Sequence, residues 1–140
     1  MTQEQKSLLI KDLCARLPYH IRIKVWLKDG TTEEGALDLE HNYGDVLRDA
    51  FYYNKIVKIK PYLLPMSSMT KEQLFNVQDI LGKNKIEIED GFLHIIDSDR
   101  NTISYSEITA LLEWFYKNHF DINNLIAMKL AIDATGLNIY

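Results

Sequence analysis

The chain has 140 residues, of which 46% are apolar and 26% charged, and a net charge of −4; these are values of one globular domain or two very small ones, and they exclude intrinsic disorder. No apolar run approaches the ~18 residues of a membrane helix, the first residues lack the basic-then-apolar layout of a signal peptide, and the single Cys14 admits no internal disulfide. A cytoplasmic protein without a membrane partner is expected, the one thiol fitting a reducing compartment.

Residues 3–17 carry Leu9, Leu13 and Leu17 at i, i+4 and i+8, with Ile10 and Cys14 beside them and Glu4, Lys11 and Arg16 on the opposite side. This spacing predicts an amphipathic helix that buries Cys14 and exposes Arg16, stopped by Pro18. The period then changes to two: Ile21, Ile23, Val25 and Leu27 alternate with Arg22, Lys24, Trp26 and Lys28, a half-buried strand. Asp29-Gly30 is a turn signal, and Gly35, Leu37 and Leu39 share one face of a second strand. Residues 46–60 read as strand-rich, and Pro61 to Pro65 as extended.

Ser68-Met69-Thr70 predicts a cap for a helix over 71–81, with Gly82 as its stop. Residues 85–89 and 92–96 flank Asp90-Gly91 as a hairpin, and a further strand is expected over 102–105. Ser104 with Glu107 forms a capping box for a helix over about 105–119, striped by Ile108, Leu111, Leu112 and Phe115. Asp121 is placed to cap another short helix through about Lys129. The fold class expected is α+β: an N-terminal helix on a small bent antiparallel sheet over 1–65, then a second small α+β unit over 66–140 with a hairpin and one long helix. The two are expected to pack as one compact body.

The segment Leu27-Lys28-Asp29-Gly30, four residues, then Gly35-Ala36-Leu37, preceded by a helix and strand and followed by Asn42, resembles the first motif of Sm-like barrels over about residues 5–60. It departs from that pattern in lacking the Arg/Lys-Gly second motif and a well-placed Asp. The resemblance implies a small barrel, a ring oligomer and RNA binding; any hairpin with an Asp-Gly turn shows the same spacing. Over nearly the whole chain, through Asp12 to Tyr19, Leu39 to Tyr43, Lys60 to Thr70 and Asn118 to Asp121, the sequence resembles small uncharacterised proteins of Bacteroidetes phages and prophages. That implies a bacterial host cytoplasm as setting and carries no motif-defined site.

Residues 1–65 hold ten Lys/Arg against nine Asp/Glu and residues 66–140 six against eleven, so a strong general affinity for nucleic acid is not expected. Local cations do stand out. Arg22, Lys24, Trp26 and Lys28 share one parity, and Lys58, Lys60 and Tyr62 share another. Were the two strands neighbours, these seven would form a basic face with aromatic rings, suited to a nucleotide, an oligonucleotide or an acidic partner; the alternative is a solvated face whose long stems cover apolar edges. Trp26, Tyr52, Tyr53, Trp114, Tyr116 and Tyr140 are either interface anchors or glue between the halves.

No enzyme site is read. Asp97-Ser98-Asp99-Arg100-Asn101 resembles the start of a calcium loop but lacks the Gly and the bidentate Glu, and fits a turn better. The four histidines have no metal-ligand spacing, and His41 beside Asp38, Glu40 and Asp45 lacks a nucleophile to serve. No catalytic residue, metal or cofactor is assigned. The function expected is a non-enzymatic phage accessory protein that binds a host or phage macromolecule, most simply a protein, and so counters host defence. The alternatives are a sponge for a nucleotide or similar anion, and Sm-like RNA binding; a homo-oligomer is compatible with all three.

Overall fold

The computed structural model describes residues 1–37, 45–46, 48–49, 55–82, 85–89, 92–96 and 103–140, and shows an α+β fold. Helix α1 (Gln3–Arg16) opens with Thr2, whose hydroxyl accepts from the Gln5 N–H while the Gln5 side chain accepts from the Thr2 N–H. The same reciprocal cap opens α2 (Lys71–Ile80) through Thr70 and Gln73, and α3 (Tyr105–Lys117) through Ser104 and Glu107. Each box satisfies two N–H groups that a helix start otherwise leaves orphaned.

After a 3₁₀ turn over Leu17–Tyr19, His20 adopts a left-handed φ of 54° and redirects the chain into β1 (Ile21–Leu27). The predicted alternation holds, with Ile21, Ile23 and Val25 buried. The Asp29 carboxylate accepts from the Thr31 N–H and hydroxyl, and Gly30 takes a φ of 88° that L side chains rarely adopt; together they return the chain into β2 (Thr32–Leu37). Strand β3 (Ile56–Leu63) pairs with the other side of β1. Both pairings are antiparallel, but the short β6 (Ile132–Asp133) joins β3 in parallel, so the sheet is mixed, in the order β2-β1-β3-β6. Strands β4 (Lys85–Glu89) and β5 (Phe92–Ile96) form the separate hairpin that was expected.

Several expectations need correction. Asp45, Val46, Arg48 and Asp49 are helical and Lys55 is irregular, so among the described residues of the stretch over 46–60 only Ile56 to Lys60 are strand. Ile103 and Ser104 are irregular and Tyr105 is already helical, so no strand runs to 105. Ile108 and Leu112 are exposed, leaving Leu111 and Phe115 as the buried stripe of α3. Residues 121–129 form turns instead of a helix, although Asp121 does cap: its carboxylate accepts from the Leu125 and Ile126 N–H groups, each at 2.8 Å. Leu39, the turn at 41–45 apart from Asp45, Tyr52, Tyr53, Asp90-Gly91 and the calcium-like run 97–101 lie outside the described residues.

Among the described residues the core has two clusters. One joins α1 (Leu9, Leu13) to the sheet (Ile21, Ile23, Leu37, Ile59, Leu63) and takes in Leu125, Leu130 and Ala131 from far along the chain. The other gathers Met66, Val77, Leu81, Leu111, Phe115 and Phe120, with the Trp114 ring stacked on Phe120 at 5.7 Å. Between them stand Asp12 and Arg16, both fully buried. Arg16 therefore does not face water as its helical position suggests, while Cys14, expected in the core, is exposed.

Candidate functional site

The alternation of β1 and β3 decides where the seven candidate residues go. In the antiparallel register Lys24 sits opposite Lys60 and Trp26 opposite Lys58, so the basic and aromatic side chains do share one face. The Lys58 ammonium lies 4.6 Å from the Trp26 ring centroid and the Lys24 ammonium 5.8 Å, so the ring is already engaged by cations. Lys24 also pairs with Glu34 of β2 at 2.7 Å, across the register Lys24↔Glu34. That contact raises the Lys24 pKa and lowers that of Glu34, whose carboxylate the Tyr62 hydroxyl lowers further. Tyr62 itself is buried, and burial first, then Glu34, pushes its phenol up.

One end of the face is thus internally neutralised by Glu34. Arg22 is half-buried beside it, its backbone N–H donating to the Tyr140 hydroxyl. Lys28 follows the end of β1 at Leu27, its N–H donating to the Lys55 carbonyl at 3.0 Å. It lies beyond the strand on a separate cavity of about 590 Å³, where Asp29, Glu33, Asp45 and Asp49 supply excess negative charge.

The other end of the face behaves differently. β6 pairs with β3 only at Tyr62 and Leu63, so the outer edge of β3 before Pro61 faces a groove of about 390 Å³. The first turn of α1 and residues 128–130 form its other walls. Lys58, Lys60 and Lys129 all line this groove, and no Asp or Glu does among the described residues. Burial, then the charges of Lys58 and Lys129, lowers the Lys60 pKa. Lys129 was not foreseen, since it lies in an irregular segment with no period to read.

A second polar cluster is buried. Arg16 donates to Asp12 from Nε at 2.7 Å and Nη2 at 3.1 Å, and to the Phe120 carbonyl at 2.7 Å, with its guanidinium 4.9 Å from the Tyr116 ring centroid. Asn123 donates to Asp12 at 2.9 Å. His119, at a φ of 59°, stacks on the Tyr140 ring at 3.9 Å, and the Tyr140 hydroxyl donates to the Tyr62 carbonyl at 2.6 Å. Burial and then the Arg16 charge hold the His119 pKa down to about 4, so the ring is neutral. Burial raises the Asp121 pKa and, more strongly, that of Tyr140. This cluster ties α1 to residues 119–123 and 140 and serves the fold. Among the described residues, no group of three or more His, Cys, Asp and Glu is placed to hold a metal ion, and no helix is long and apolar enough to cross a membrane.

No protein-family model, curated protein or solved structure matches the chain.

Proposed function

We propose that this protein is a non-enzymatic binding protein that receives an anionic partner at the β3 edge of its main sheet. The observation that carries this is the convergence of Lys58, Lys60 and Lys129 on one groove with no described carboxylate on its walls. Like charges gathered in a concavity repel one another and raise the local concentration of anions. The contrast lies on the same face, where Lys24 has its own counter-charge in Glu34. In the phage setting that the sequence resembles, the partner would be a host or phage molecule.

The test is binding of tripolyphosphate, polyglutamate and a short single-stranded DNA at low ionic strength, with native mass spectrometry of the protein as purified. At least one polyanion should bind, the affinity falling steeply with salt, and the combined Lys58→Gln, Lys60→Gln, Lys129→Gln variant should lose it. Binding that survives in the triple variant, or none at low salt, ends this reading.

A second reading, a protein partner, is favoured by Tyr105, Ile108 and Leu112, which leave an exposed apolar stripe at i, i+3 and i+7 on α3. Sedimentation of the native protein against Ile108→Ser, Leu112→Ser tests whether it self-associates there. A monomer in both removes that occupant.

A further inference from the structure

Taking the groove to be an anion site, as proposed above, its walls specify the ligand more narrowly. They are of two kinds: the cations Lys58, Lys60 and Lys129, and an apolar part that includes Val57, Met128 and Leu130. Val57 owes its place to a β-bulge. The register runs Trp26↔Lys58 and then Leu27↔Ile56, so Val57 has no partner on β1 and is 68% exposed. Bulges re-aim side chains in this way. Lys129 owes its place to a turn, its N–H donating to the Ile126 carbonyl at a φ of 60°. Glycine fits that left-handed conformation without strain, and lysine does not. A lysine there supplies charge at the expense of backbone comfort.

Three partner classes carry negative charge, and the geometry separates them. An acidic peptide added as a strand needs a run of free backbone groups on the sheet edge. Here the bulge interrupts one end, Pro61 has no N–H, and β6 occupies the edge from Tyr62, leaving Lys58 to Lys60. A long nucleic acid meets a molecule whose total net charge is −4 and whose basic patch is small. A small molecule suits the volume, since about 390 Å³ lies within the roughly 300–1,000 Å³ of ligand pockets. Three flexible ammonium groups on two elements act as separate point charges. They match a chain of phosphates better than one compact anion.

We propose that the groove binds a small amphiphilic polyphosphate, its phosphate chain on Lys58, Lys60 and Lys129 and its apolar or flat group against Val57, Met128 and Leu130. Nucleoside triphosphates and other diphosphate-linked compounds share this chemistry.

The experiment is calorimetry on the full chain at low ionic strength with ATP, tripolyphosphate, adenosine, a long-chain acyl pyrophosphate and polyglutamate. ATP or the acyl pyrophosphate should bind more tightly than tripolyphosphate, and adenosine should not bind; which of the two is tighter tells a flat group from an aliphatic one. Lys60→Gln should weaken binding about tenfold or more, the loss expected for one charged hydrogen bond, and Val57→Ser should weaken the amphiphile but not tripolyphosphate. Lys129→Gly is the variant that separates folding from binding: its melting temperature should hold or rise while affinity falls. Equal affinity for tripolyphosphate and both amphiphiles, or full affinity in Lys129→Gly, overturns the inference. Lysine-dependent binding of polyglutamate alone overturns it while leaving the broader anion reading standing; failure of every anion removes both.

Discussion

Replacing Asp12 by alanine strands a buried cation, and the cost can be worked from its surroundings. Asp12 and Arg16 have fully buried side chains, linked at 2.7 Å and 3.1 Å. Without the carboxylate, Arg16 keeps, among the described residues, the Phe120 carbonyl and the Tyr116 ring, and Asn123 loses its acceptor. Breaking one side of a buried pair costs about 3–5 kcal/mol, a large part of the about 5–15 kcal/mol that holds a domain together. With a urea slope of about 2 kcal/mol/M, the midpoint should fall by roughly 2 M. The double variant Asp12→Leu, Arg16→Met removes both charges and leaves the Asn123 amide without its acceptor, about 1–3 kcal/mol, while the Phe120 carbonyl still accepts from the Ile122 N–H. It should therefore be more stable than either single variant. Urea unfolding followed by far-UV circular dichroism measures the wild type, Asp12→Ala, the single variants Asp12→Leu and Arg16→Met, and the double variant. A double variant as costly as the sum of the singles would refute the coupling, and an Asp12→Ala loss below about 1 kcal/mol would refute burial of the pair.

His119 sets an acid limb. Its folded pKa of about 4 lies below the unfolded value of about 6.5, so between these the unfolded chain takes a proton that the folded one refuses. Stability falls as pH drops through that window, by at most about 3 kcal/mol, and is unaffected above it. Asp121, with its raised pKa, works in the opposite sense; hence the test is a pH series on His119→Asn, which tolerates the left-handed backbone and should flatten the slope. Tyr140→Phe removes the hydroxyl that bonds the Tyr62 carbonyl and the Arg22 N–H; a loss of about 1–2 kcal/mol in thermal unfolding is expected, and an unchanged melt would mean residue 140 is not docked. Thr70→Ala opens the α2 cap and should lower stability by about 1 kcal/mol, a value that native-state hydrogen exchange in residues 71–80 can localise.

Local rules were read well from sequence because they act locally. The alternation in β1, the Ser68-Met69-Thr70 cap and the Ser104–Glu107 box depend on residues within one turn or one strand, and the shared face of Trp26, Lys58 and Lys60 followed from parity once the strands paired. What failed depended on distant partners. Arg16 looks solvated because its acceptors, the Phe120 carbonyl at one end and Asp12 held by Asn123 at the other, meet only after more than a hundred residues of chain have folded back. Glu34 cancels Lys24 through a register set by the Asp29-Gly30 turn, and Lys129 joins the groove from a turn with no periodic signal.

The parallel strand β6 bonds to Leu63 and the Phe120 bridge to Leu64, neighbouring residues whose backbone groups point to opposite edges of the strand. Their hydrogen bonds run from Leu64 to His119, from Asp121 to Leu64 and from Ala134 to Leu63. During synthesis, then, the first half of the protein leaves the ribosome with one rim of its sheet unfinished and with no Phe120 carbonyl to receive Arg16. Some seventy residues must follow before residues 132–133 can dock. A nascent or clipped chain lacking residues 119–134 therefore keeps an open β3 edge and an Asp12–Arg16 pair without its Phe120 and Asn123 partners.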